Sequence, residues 1–172
     1  MDHAWLLLLR LVHVVGGMIW MGSMVMLAGF VLPTQALEGH DGGRFIQRMM
    51  IERRLNTALA VIGGLAILSG IVLYVRATIG TDGAFAHSHA GRVFGVGGVL
   101  AILAAAIGGS MGSRSARQAG VLRARIAAER RAPTPEELTE LGNIGARGAR
   151  GARISAALLL LSAAAMAVAR YA

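Results

Sequence analysis

The chain has 172 residues, of which 55% are apolar and only 15% charged, with a net charge of +8. A soluble domain carries about a quarter charged residues, and here the apolar residues come in long unbroken blocks, so the expected class is an integral membrane protein. There is no cysteine and no lysine, all 17 basic residues being arginine, which excludes disulfides, thiolate metal sites, cysteine nucleophiles and lysine-dependent chemistry.

Four spans are expected, at about 4–32, 55–75, 91–112 and 154–169, making an all-α membrane four-helix bundle in a single domain. About 20 residues cross a ~30 Å hydrocarbon core. The first block is broken only by Arg10 and His13. It is too long for a signal-peptide core of about 7–15 residues and is expected to be retained. Pro33 is expected to end it. The fourth block is short, with Arg153 and Arg170 placed to snorkel at its ends.

Arginine distribution sets the expected orientation. The segment 33–54 carries Arg44, Arg48, Arg53 and Arg54, and the segment 114–153 carries nine arginines, whereas the loop 77–90 carries none. The positive-inside rule then puts both termini and the second loop outside the cytoplasm, in a multi-pass protein of the inner (cell) membrane. Trp5, Tyr74, Phe85 and Tyr171 fall at the same outer level, as an aromatic belt does.

The segment 114–153 is expected to be a cytoplasmic helical loop. Arg114 to Arg131 continues the third helix. Thr134-Pro135-Glu136-Glu137 then has the pattern of a helix start, with Thr134 as cap and Glu137 closing the box. A short helix is expected there, followed by Gly145-Ala-Arg-Gly148-Ala-Arg-Gly151-Ala-Arg, whose three arginines form one helical stripe suited to anionic lipid headgroups. No aromatic platform accompanies the charge, so no nucleic-acid partner is expected. Gly91 with Gly95, and Gly108 with Gly112, let helices approach closely, within the bundle, in a homodimer or against a flat cofactor.

An ionisable residue inside a span is a functional candidate. Arg10, His13, Gly17 and Trp20 recur at spacings of three and four, so they form one helix stripe. It offers a cation, an imidazole, a gap without a side chain and a flat ring. That order suits a haem: imidazole ligates iron, glycine admits the macrocycle and arginine pairs with a propionate. His87 and His89 precede the third span, with Arg76 and Arg92 beside them, so histidines and arginines gather towards the outer face. His13 lies about 13 Å below Ala4 along the helix. For His89 to reach that depth, the third helix must start earlier or the loop must dip inward. The rival chemistry is copper, because thioethers select the monovalent ion. Met18, Met21, Met24 and Met26 crowd the first span, although methionine also serves as apolar filling.

Trp5-Leu-Leu-Leu-Leu-Arg10-Leu-Val-His13, then Gly17 and Trp20-Met-Gly22, resembles the first helix of a membrane superfamily. It includes the CopD-type copper-resistance proteins and the HemJ-type protoporphyrinogen oxidases. Met49-Met-Ile-Glu52-Arg53-Arg54-Leu55 resembles the start of the second helix of the HemJ type, and His89 matches a histidine near the start of the third. The HemJ resemblance implies a b-type haem on His13 and porphyrinogen oxidation. The CopD resemblance implies copper handling on the outer side. The HemJ type also uses a lysine in the third helix, where the nearest basic residue here is Arg92.

The expected function is therefore a haem b protein acting in electron transfer or haem-dependent oxidation. His13 is the axial ligand, His89 a second one, and Arg10 and Arg92 hold the propionates. The alternatives are copper passage through His13, Met18 and Met21, or a non-catalytic accessory subunit of a larger membrane complex.

Overall fold

The computed structural model describes residues 2–171. Among these residues the chain is all helix, and four helices are long and apolar enough to cross a membrane: His3–Leu37, Leu55–Ile79, His89–Ala128 and Pro135–Tyr171. This is the architecture of a multi-pass membrane protein. The elements are α1 (Asp2–Met26), α2 (Leu32–Leu37), α3 (Gly39–Gln47), α4 (Leu55–Ile79), α5 (Ala84–His87), α6 (His89–Ala128) and α7 (Pro135–Val168). α1 and α6 each pack against α4 and α7, in an up-down-up-down ring.

Pro33 does not end the first helix. α1 runs through a π turn at Leu27–Val31 into α2, which carries Pro33 in its first turn. A proline ring clashes with the carbonyl four residues back. That residue is Gly29, inside the π turn, where the wider winding makes room. A tight hairpin to α3 follows, and Gly42 fits there because a Cβ would overlap the Gln35 carbonyl.

The third helix starts at His89, capped by the Ser88 hydroxyl, which accepts the Gly91 N–H at 3.0 Å. Gly91 does not serve as an open packing face. It sits under the Phe85 carbonyl, where any side chain would collide. At the far end of α6, Arg130 adopts a left-handed φ of 49° and turns the chain towards α7.

Thr134 and Glu137 form the expected capping box. Beyond it there is no separate short helix: one helix runs from Pro135 to Val168. Glycine in a helix interior costs about 1 kcal/mol without breaking it, and here the glycines serve as contacts. Gly148 packs on Ser115 and Gly151 on Met111, while Arg147, Arg150 and Arg153 stay exposed. Higher in the bundle two buried hydroxyls cross from α7 to α6. Ser155 Oγ donates to the Ala104 carbonyl at 2.9 Å, and Ser162 Oγ donates to Gly97 at 2.7 Å. Their spacing of seven repeats on α6, which fixes the register of the pair.

The loop between α6 and α7 is clasped by ions. Arg131 holds both Glu137 oxygens at 2.7 Å and Glu129 at 2.6 Å. Arg131 beside it keeps the Glu137 carboxyl well below the usual range, at about 2.

Candidate functional site

His13 and Trp20 of the first stripe pack from α1 against α4, while Arg10 is exposed. His13 Nδ1 lies 2.7 Å from the Ala66 carbonyl oxygen. A carbonyl only accepts, so Nδ1 is the donor in this bond and Nε2 is the ring nitrogen outside it. Ser69 Oγ lies 3.1 Å from the same oxygen, with a shorter bond of 2.7 Å to the Leu65 carbonyl. The imidazole reaches this position because α4 offers a glycine beside it: a Cβ on Gly70 would stand 2.6 Å from His13 Cε1. One helical repeat along, Gly63 does the same for Trp20, where a Cβ would come within 2.8 Å of the indole. The pair His13 and Trp20 is thus matched by the pair Gly70 and Gly63, both seven apart, on antiparallel helices.

Beside this seam lies a cavity of about 740 Å³. Arg10, His13, Gly17 and Trp20, the whole predicted stripe, line it together. α4 contributes Tyr74 and Ile71, and α6 and α7 contribute Gly95, Gly98, Ser162 and Met166. The wall is largely apolar, with Arg10 its charged member. Phe85 stands between two further rings, edge-on to Tyr74 at 5.6 Å and tilted to Phe94 at 6.2 Å, and all three border the cavity.

Other candidate residues lie elsewhere. His89 begins α6 and is exposed, and neither it nor Arg92 borders the cavity. His87 and Arg76 are exposed as well. Met18 is 55% exposed on the outside of the bundle, whereas Met21 borders the cavity and Met24 packs against the core. Among the described residues no three His, Asp or Glu side chains cluster as a metal site.

The one described imidazole that borders the cavity is oriented by a backbone carbonyl, as metal-bound histidines usually are. An apolar cavity of several hundred Å³ suits a cofactor-sized molecule with a few polar contacts. Gly63, Ala66 and Gly70 of α4 were not anticipated, because glycine and alanine carry no chemistry of their own. The matching spacing of seven was the available signal.

Comparison with protein-family models, with curated proteins and with solved structures finds no match to this chain.

Proposed function

We propose that the protein binds one b-type haem in the upper cavity and acts in electron transfer or haem-dependent oxidation. The observation that carries this reading is the His13 imidazole, which bonds the Ala66 carbonyl through Nδ1 and borders a cavity of about 740 Å³. His13 would hold the iron, Arg10 would face a propionate, and the uncovered Gly17 and Gly98 backbones would let a flat ring lie close. When bound, the haem supplies one-electron chemistry, or oxygen and substrate chemistry where a coordination position stays open. The chain supplies an oriented imidazole, a cation for an acidic group and an apolar wall that excludes water. His89 and Arg92 do not border the cavity, which favours His13 as the sole histidine ligand.

The reading includes placement. Both termini and the α4–α5 turn face outward from the inner membrane, and the exposed Arg147, Arg150 and Arg153 meet anionic headgroups on the cytoplasmic side. The likeness of the first helix to the CopD and HemJ types points the same way. Copper is the second reading, favoured by Met21 and Met166 sharing the cavity with His13. An absorption spectrum of the detergent-purified chain from a haem-replete host tests the proposal. A Soret band is expected, and its absence together with bound copper would replace haem by the second reading.

A further inference from the structure

A second cavity, of about 580 Å³, occupies the arginine-rich half of the bundle. Trp20 and Ile67 border both cavities, so this pair stands between them. The lower cavity follows α6 from Ala104 to Arg123, about 28 Å along the helix axis. That length suits an extended hydrocarbon chain lying along α6.

Its polarity is graded. Leu27, Leu59 and Ile67 line it near Trp20, and alanine and glycine of α6 and α7 line much of the rest, with the Ser115 and Ser155 hydroxyls among them. The other end gathers Gln35, Gln47 and Arg123. Among the described residues Arg123 is the one charged residue in the lining, and no described carboxylate borders the cavity. Its partner among the described residues is the neutral Gln47, whose Oε1 accepts from Nη1 at 3.3 Å. A guanidinium has five N–H donors. Burial removes part of its hydration and lowers its pKa from the ordinary arginine value. An anion in the cavity would restore what the side chain lost.

We propose that the lower cavity is a binding site for a single-chain anionic lipid drawn from the membrane, its acidic head paired with Arg123 and its hydrocarbon chain running towards Trp20. The charge complementarity sets the head group, and the long apolar lining sets the tail. The site stands apart from the haem reading, since Arg123 does not border the upper cavity.

The test is equilibrium binding of radiolabelled oleate to the full chain in nonionic detergent. Saturable binding at one site per chain is expected. A hydrogen bond to a charged group contributes about 1.5–3 kcal/mol, so Arg123→Gln should weaken oleate at least about tenfold, with Arg123→Lys keeping most of the affinity. Oleyl alcohol, with the same tail and no charge, should compete at least about tenfold more weakly than oleate. Gly112 borders the cavity and has open space where a Cβ would stand. Gly112→Leu should therefore block the site while the thermal midpoint stays close to wild type. Wild-type oleate binding by Arg123→Gln, equal competition by the alcohol or by dioleoylphosphatidylglycerol, or no saturable binding would each overturn the proposal.

Discussion

His13 and Ala66 are 53 residues apart in sequence and joined by a 2.7 Å hydrogen bond from the imidazole to the carbonyl oxygen. The bond spans the seam between α1 and α4 and leaves Nε2 as the ring nitrogen outside it. Gly70 makes it geometrically feasible by leaving space for the ring.

Gly70 is therefore the sharpest test of the seam. Gly70→Ala would place a methyl carbon 2.6 Å from His13 Cε1, and overpacking of this kind costs about 1–3 kcal/mol. The ring should rotate away from Ala66, with haem occupancy falling roughly tenfold or more. Gly64→Ala, on the same helix with open space around it, should leave occupancy unchanged. The measurement is the ratio of Soret to protein absorbance in the two purified variants.

How far the site could be read from sequence follows from which side chains have chemistry to show. Arg10, His13, Gly17 and Trp20 stood out because an ionisable residue in an apolar helix is costly, and all four do border one cavity. Their partner helix stayed silent: Gly63 and Gly70 act through lacking a side chain. His89 was correctly placed near the start of the third helix, but spacing along one helix does not tell which way its face points across the bundle. The first helix outran Pro33 because a π turn absorbed the ring clash, a local adjustment that residue preferences do not reveal. The four long helices themselves were plain from hydropathy.

The α6–α7 register rests on two buried hydroxyls. Ser162→Ala removes the bond to the Gly97 carbonyl, and such bonds in membranes average about 0.6 kcal/mol. Ser155→Leu should cost more, because Ser155 is 1% exposed and a Cβ on the facing Gly108 would already be 2.8 Å from its Oγ. Unfolding in mixed micelles should show the leucine variant losing at least about twice the stability of the alanine variant.

The clasp at the α6–α7 loop should respond to acid. Arg131 holds the folded carboxyl of Glu137 at about 2, below the ordinary value of about 4.3. A depressed carboxyl contributes its stabilisation above the unfolded pKa and loses it as pH falls through the folded one. Hydrogen exchange across 129–137 should therefore stay slow down to about pH 4, after correction for the intrinsic rate, and quicken as pH falls towards about 2. Glu137→Gln should abolish that step. A step unchanged in the glutamine variant would assign it elsewhere.

Orientation is open to direct chemistry because the chain lacks cysteine. Thr81, in the α4–α5 turn, and Ala132, in the α6–α7 loop, are both exposed. A membrane-impermeant maleimide should label Thr81→Cys in intact cells and label Ala132→Cys only after permeabilisation. The reverse pattern would invert the bundle and move the upper cavity to the cytoplasmic side.

The most direct test of the central reading compares optical spectra of wild type, His13→Ala and His89→Ala, each purified in detergent from a haem-replete host and matched for helical content by circular dichroism. A Soret band in wild type that persists in His89→Ala and disappears in His13→Ala is the expected result. A wild type without the band, or a band that survives in His13→Ala, would contradict His13 as the ligand of a haem in the upper cavity.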